Sequence, residues 1–179
     1  MPYRTFLAVL VAFALSTADV RAQSPLAADA WLVSAGVGIA FDPDADVSPA
    51  IAGAAAFPIT SSVALEGELG HLFDLASDDP DVDSSLTTVH GSVLYFVDTP
   101  YVLAPYIAAG FGVGHFSHEV IAPPASLSRT EIGFNLGGGV TYPMNDWGWV
   151  RGDFRFVKHI DDVPSAWRLL AALTLRVGG

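Results

Sequence analysis

The residues best placed to do chemistry are His115 and Ser117, which lie two positions apart around Phe116. In a β-strand, residues at i and i+2 point to the same side, so this histidine could take a proton from the serine hydroxyl and make it a nucleophile. A third group must orient the imidazole, and the candidate acids are Glu119, adjacent in sequence, and Glu131, which we expect to face the other way. A hydrolase is therefore one hypothesis. We favour the simpler interpretation, in which these are polar residues near the end of a strand.

Two acidic runs share one spacing: Asp42-Pro-Asp44-Ala-Asp46 and Asp79-Pro-Asp81-Val-Asp83. Alternating carboxylates resemble the start of a calcium-binding loop. The rest of an EF-hand is missing, because no glycine follows either run and the twelfth position holds Gly53 or His90. We interpret both runs as solvated loops, and weak binding of Ca²⁺ or Mg²⁺ is the alternative.

Charged residues also occupy alternating positions within otherwise apolar segments. They are Glu66, Glu68, Glu131, Arg151, Asp153, Arg155, Arg168 and Arg176. Alternation puts large apolar side chains on one face of each strand and these charges on the other. Enclosed charges are costly unless they are paired. We therefore interpret the set as a structural network of salt bridges, and a small gated pore is the functional alternative.

Composition and motifs argue against several classes of function. A formal net charge of −11 leaves nothing to neutralise the phosphates of a nucleic acid. The chain has no cysteine, so it has neither a disulfide framework nor a lipid-modified cysteine anchor. His115 and His118 alone have ligand-like spacing, and two ligands do not make a metal site. No nucleotide-binding or zinc-protease motif occurs, so we predict no cofactor and no metal site.

The N-terminus, Met1–Ala22, has the features of a secretory signal peptide. Arg4 precedes an apolar stretch at 6–15, and Val20-Arg21-Ala22 is a plausible small-residue cleavage site. The apolar stretch is too short to cross about 30 Å of hydrocarbon. We predict a signal peptide over residues 1–22 and a single domain over residues 23–179.

The remainder of the chain alternates with a period of two, which predicts eight strands. They cover residues 31–41, 50–58, 63–73, 86–97, 101–118, 130–142, 147–159 and 167–177. Strands of this length, tilted by about 45°, cross a membrane core, whereas strands of soluble sandwiches have roughly 5–6 residues. A chain that is 51% hydrophobic and 15% charged is unusual for a small soluble protein and typical of a barrel with a lipid-facing belt.

Short and long connections alternate along the chain. Tight turns at 60–62, 99–100 and 145–146 alternate with longer polar loops at 42–48, 74–85, 119–129 and 161–166. This asymmetry predicts an all-β fold, an eight-stranded antiparallel transmembrane up-and-down β-barrel, with the N-terminus and the tight turns in the periplasm. Aromatic residues near strand ends are predicted to form interface girdles. They are Trp31, Phe41, Phe57, Tyr95, Phe96, Tyr101, Tyr142, Trp147, Trp149 and Trp167.

Two stretches carry a family resemblance: the glycine-rich strand Ala-Pro-Tyr-Ile-Ala-Ala-Gly-Phe-Gly-Val-Gly at 104–114, and Arg-x-Asp-Phe-Arg-Phe at 151–156. Together with the signal peptide, they resemble the small outer-membrane β-barrel domain family of OmpA-like and OmpX-like eight-stranded proteins, over residues 27–179. The resemblance implies a place in the cell outer membrane and a structural or surface-interaction role without catalysis. Barrels of one shape host several functions, so this is an analogy of fold.

The expected partners are outer-membrane lipid and lipopolysaccharide, with divalent cations bridging to them at the acidic loops, and the expected state is a monomer that binds no nucleic acid. Two alternatives remain open. His115-x-Ser117 resembles the His-x-Ser element of lipid A deacylases, although that family follows the serine with asparagine, where this chain has His118. A secreted, soluble, lipocalin-like barrel would instead turn its apolar face inward.

Overall fold

The computed structural model describes residues 26, 30–41, 47–73, 82–120, 125–160 and 165–178, most of which lie in eight β-strands. The strands are β1 Trp31–Phe41, β2 Val47–Pro58, β3 Val63–Phe73, β4 Val82–Phe96, β5 Ala104–Val120, β6 Ala125–Asn145, β7 Gly148–His159 and β8 Ala166–Val177. The predicted signal peptide lies outside the described residues. In the part of the chain that is described, no helix is long and apolar enough to cross a membrane.

The strands form a closed antiparallel barrel in sequence order, in which β1 pairs with β8. Following pairing partners once around the barrel from Thr130 on β6 leads back to β6 at Val140, a shift of ten residues. Ten residues at about 3.3 Å, set against eight strand spacings of about 4.8 Å, correspond to a strand tilt of about 40°. At that tilt, the nine residues from Pro105 to Val113 on β5 rise roughly 23 Å. This height matches the apolar band of a transmembrane barrel, about 25 Å.

Side chains alternate between the two sides of the wall. The outward side is apolar, with Phe111 76% exposed and Leu173 47% exposed. The inward side carries the charges, with Glu66 3% exposed and Arg155 fully buried. Because the apolar side chains face out and the charges are enclosed, the predicted barrel is confirmed and the lipocalin-like alternative is wrong.

β1 and β3 have the predicted bounds, and the other six strands differ from the predicted bounds by one to five residues, most of all at the β5–β6 hairpin. The ladder between these strands continues to the pair Val120 and Ala125, so most of the loop predicted at 119–129 is strand. The strand residues Ser126, Ser128 and Arg129 in this stretch are polar and exposed, and Ser128 pairs with Ser117 on β5. Polar side chains at these positions predict a loop, but a strand that extends beyond the apolar belt does not need apolar side chains.

The three connections predicted as tight turns lie at one end of the barrel; those after β2 and β6 are short, whereas the turn predicted at 99–100 is a longer connection over residues 97–103. The Thr60 hydroxyl accepts hydrogen bonds from the backbone N–H groups of Ser62 and Val63 at 3.2 and 3.0 Å. The Asn145 side-chain oxygen accepts one from the backbone N–H of Trp147 at 3.1 Å. We call this end the short-turn rim. The opposite end, where residues 42–46, 74–81, 121–124 and 161–164 connect the strands, is the long-loop rim.

The predicted aromatic girdles need one correction. Trp149 and Phe96 are 1% and 5% exposed and point into the lumen, whereas Trp31 and Trp147 face outward. Trp149 lies two positions from the charged residue Arg151, so strand alternation puts both on the inward face. The girdle prediction rests on proximity to a strand end alone, and for Trp149 and Phe96 the strand alternation determines which side of the wall they face.

Candidate functional site

Six charged side chains from three strands meet inside the barrel. They are Glu66 and Glu68 on β3, Arg151, Asp153 and Arg155 on β7, and Arg168 on β8. Strands β3 and β7 lie on opposite sides of the closed barrel, so these charges meet across the lumen. We call this group the lumen charge cluster.

Arg155 lies at the centre of the cluster and contacts all three of its carboxylates. Its guanidinium Nη2 is 2.6 Å from Glu66 Oε1 and 2.9 Å from Asp153 Oδ2. Its Nη1 is 3.8 Å from Glu68 Oε2. The side chain has no exposed surface, so these carboxylates take the place of the water that would otherwise solvate the cation.

The other two arginines complete the pairing. Arg151 forms a fork, with Nη1 on Glu66 Oε2 and Nη2 at 2.8 Å from Asp153 Oδ2. Arg168 Nη1 lies 2.7 Å from Glu68 Oε1. Every carboxylate of the cluster therefore contacts at least two guanidinium groups.

The cluster is electrically balanced, with three carboxylates and three guanidinium groups. The side chains of all six are at most 7% exposed. A buried ion costs several kcal/mol unless partners compensate for its lost hydration. The six charges are therefore mutually dependent, and loss of one leaves a net buried charge.

Tyr106 joins the cluster and was missed in the sequence. Its hydroxyl donates to Asp153 Oδ2 and accepts a hydrogen bond from Arg151 Nε at 2.7 Å. The Arg151 guanidinium carbon also lies 4.8 Å from the centre of the Tyr106 ring. The sequence carries a signal for this placement, because Tyr106 is an even number of positions from Gly110, Gly112 and Gly114 and opposite in parity to the apolar residues Ile107, Phe111 and Val113.

Apolar side chains fill the lumen on both sides of the cluster. Toward the short-turn rim, Leu32, Phe96 and Trp149 pack in one buried group. Toward the long-loop rim, Leu72 and Leu86 belong to a second. The charges thus lie in a buried layer between two apolar groups.

Two predicted members of the network lie apart from these six. Glu131 is half-buried on β6, opposite Gly114 on β5 and nearer the long-loop rim. Arg176 lies near the short-turn rim, where it donates a hydrogen bond to the Asp146 carbonyl at 3.1 Å and its guanidinium carbon is 4.8 Å from the Trp149 ring centre. Both residues are on inward-facing positions, but they lie at different heights along the barrel axis from the lumen charge cluster, so they do not join it.

The candidate hydrolase pair is placed on the outer wall. The His115 ring nitrogen Nδ1 lies 2.8 Å from Thr130 Oγ1, and Ser117 pairs across the ladder with Ser128. Among the described residues, no hydrogen bond joins His115 to Ser117. Glu131 faces the lumen, so it does not orient the imidazole.

The acidic runs and the other histidines provide no metal centre that the structure describes. Asp42, Asp44, Asp46, Asp79 and Asp81, and the side chain of Asp83, lie outside the described residues. Buried His90 and His159 lie with ring centres 6.4 Å apart in the lumen. Within the described ranges, no three His, Asp or Glu side chains are grouped to hold a metal ion.

The cluster ties β3 to β7 and β8 and fills the lumen at its centre. Each carboxylate is already engaged by arginine, so the arrangement offers no free acid or base to a substrate. What the geometry supplies is a rigid cross-brace inside a narrow cylinder.

Several solved structures share this architecture. Solved structures with a similar fold include Neisserial surface protein A, at 16% identity over 83% of this chain and 96% of that chain, with a TM-score of 0.67. The N-terminal barrel domain of Pseudomonas aeruginosa OprF matches at 16% identity over 84% and 98%, with a TM-score of 0.64. Ail, the attachment invasion locus protein of Yersinia pestis, matches at 12% over 83% and 97%, with a TM-score of 0.55.

A search of curated proteins by sequence finds no relative. Residues 5–173 match the family described as the outer membrane protein beta-barrel domain, which confirms the resemblance seen in the sequence. Membership of this family implies an outer-membrane location. The chain is an eight-stranded member of the outer membrane protein β-barrel domain family.

Proposed function

We propose that this protein is a sealed, non-catalytic barrel that reinforces the outer membrane and presents a binding surface at its long-loop rim. The observation that carries the proposal is the lumen charge cluster, whose central Arg155 has no exposed surface. A conducting pore needs a continuous water-filled path, and the apolar groups on both sides of the cluster oppose one.

The cross-brace and the closed sheet together suit a rigid platform. Each of the eight strands pairs with two neighbours, so the closed wall has no free sheet edge except at the projecting ends of β4 to β6. On this platform the β5–β6 hairpin continues past the apolar belt to Val120 and Ala125. Similar structures named for surface roles, a surface protein and an attachment invasion locus protein, support a role of this kind.

The proposed orientation puts the N-terminus and the short-turn rim in the periplasm, after export by a signal peptide at Met1–Ala22. The long-loop rim then faces outside. Its acidic runs would meet lipopolysaccharide, with Ca²⁺ or Mg²⁺ bridging the carboxylates to anionic headgroups. Isothermal calorimetry tests this bridging: we expect weak divalent binding that Asp44→Asn/Asp81→Asn reduces, and absence of binding in both proteins would remove the bridge.

Planar-bilayer recording tests the proposed function as a whole. The refolded wild-type protein should insert without raising steady conductance above the bare bilayer. In its own bacterium, deletion should increase sensitivity to detergent and bile salts, and the wild-type gene should restore resistance. A stable open conductance, or a deletion strain with an unchanged envelope and an altered lipid A structure, would overturn the proposal.

A further inference from the structure

A row of polar side chains crosses the outer wall of the barrel, where lipid contact is expected. In the strand register, His71 on β3 pairs with Thr87 on β4, Thr87 with His115 on β5, and His115 with Thr130 on β6. Two hydrogen bonds link the row: His71 Nδ1 to Thr87 Oγ1 at 2.9 Å, and His115 Nδ1 to Thr130 Oγ1 at 2.8 Å. We call these four residues the polar shelf.

The polarity of the wall changes abruptly at this shelf. The outward row on its short-turn side is entirely apolar and consists of Leu69, Val89, Val113 and Ile132. The row on its long-loop side contains three serines and consists of Phe73, Ser85, Ser117 and Ser128. Polar groups are costly in hydrocarbon, so the edge of the acyl region is expected along the shelf, which the strand tilt inclines so that Thr130 lies nearer the long-loop rim than His71.

The shelf occupies only one side of the barrel. On β8, β1 and β2, the outward residues nearest the same rim are Trp167, Phe41 and Val47. An aromatic girdle of the usual kind therefore covers this side, while β3 to β6 present hydroxyl and imidazole groups. The difference gives the lipid-facing wall a specific polar sector.

An apolar groove of about 650 Å³ runs down the wall from the shelf. Val37, Ile51 and Leu69 line it, and its polar end is the His71–Thr87 pair. A molecule that matches both features has a hydrocarbon chain and a polar head, and the wall is continuous with the surface that the barrel presents to lipid.

We propose that the polar shelf binds the phosphate-bearing headgroup of an outer-leaflet lipid, with one acyl chain in the adjoining groove. In both histidines Nδ1 is hydrogen-bonded to a threonine hydroxyl, so the other ring nitrogen, Nε2, is the atom that would contact a ligand. Imidazole and hydroxyl groups donate hydrogen bonds, phosphate oxygens accept them, and neither the shelf nor the serine row contains a carboxylate. The proposal rests on the membrane placement given under the proposed function.

Lipid titration in neutral-detergent micelles, read by native mass spectrometry, tests the proposal. The probes are diphosphorylated lipid A, a phosphate-free galactosyl diacylglycerol and inorganic phosphate. We expect the wild-type protein to retain lipid A and His71→Leu/His115→Leu to bind it at least about tenfold more weakly, as loss of one charge-assisted hydrogen bond implies. The matched control, Ile39→Leu/Leu169→Ile on the opposite side, should bind as the wild type does.

Equal retention of lipid A by the wild type and the shelf variant overturns the proposal, as does absence of retention by both. A preference for the phosphate-free lipid, or binding of inorganic phosphate alone, overturns the assignment of the headgroup. Heat-shift gels of each sample in vesicles show separately whether the barrel inserts, so failure of membrane placement is distinguished from failure of the shelf. Thr87→Val/Thr130→Val, a nearly isosteric change, repeats the test if the histidine variant does not fold.

Discussion

Removal of the central guanidinium in Arg155→Met should destabilise the barrel by about 3 kcal/mol. Breaking a buried ion pair by removing one partner costs about 3–5 kcal/mol. In this cluster each carboxylate keeps another arginine, since Arg151 still contacts Glu66 and Asp153, and Arg168 still contacts Glu68. The loss is therefore expected at the lower end of that range. It comes from a net buried negative charge, because three carboxylates then face two guanidinium groups.

A double-mutant cycle separates this effect from lost packing. Glu66→Gln alone leaves an excess positive charge, whereas Arg155→Met/Glu66→Gln restores the balance at two against two. We expect the double variant to cost less than the sum of the two single variants, with a coupling of about 1–3 kcal/mol. The two residues are directly bonded at 2.6 Å, so the coupling should be near the upper end.

Reversible urea unfolding in lipid vesicles, followed by tryptophan fluorescence, measures these free energies. Lys158→Met is the matched control, because it removes a cation from the outward face of the same strand. Lys158 lies one residue from the long-loop end of β7, where a charge on the lipid face costs at most about 1 kcal/mol, so this change should alter stability by that amount or less. Additive single effects, or an Arg155→Met loss below about 1 kcal/mol, would show that water solvates the cluster and would refute the reasoning.

Three further predictions follow from individual contacts. Tyr106→Phe removes the hydroxyl that bridges Asp153 and Arg151, and should cost about 1–3 kcal/mol in the same unfolding assay, with no loss contradicting the bridge. Gly112→Ala drives a Cβ into the Val89 carbonyl oxygen and to 2.8 Å from His90 Cα, so it should cost at least about 1–3 kcal/mol, whereas Gly67→Ala, with open space around it, should be neutral or slightly stabilising; equal effects would argue against the register. Ser117→Ala should leave the acylation pattern of cellular lipid A unchanged by mass spectrometry. Accumulation of lipid A that carries more acyl chains than in the wild type would support the hydrolase hypothesis.

The strands could be predicted from sequence because period-two alternation depends only on residues that are neighbours in the chain. β1 and β3 have the predicted bounds, and the parity of Glu66, Arg151 and Arg155 was enough to place them on one inward face. The turns could also be predicted, since Thr60 and Asn145 hydrogen-bond to their own neighbourhoods.

The pairing inside the barrel could not be predicted, because it depends on the register. Glu66 meets Arg155 across 89 positions of sequence, and only the ten-residue shift around the barrel brings them to one height. The same shift separates Glu131 and Arg176 from the cluster, although both share its face. Local pattern determines which side of the wall a residue occupies, and closure determines its neighbours.

Lipid-to-protein nuclear Overhauser transfer in nanodiscs tests the central claim without altering the protein. With methyl-labelled Ile, Leu and Val, saturation of the acyl-chain methylene protons should reach the outward methyl groups of Ile107, Leu136 and Leu173, and leave the buried methyl groups of Leu86, Leu94 and Leu170 unaffected. The opposite pattern, with transfer to the second set and water contacts at the first, would contradict a barrel whose apolar wall faces lipid and whose charges are enclosed.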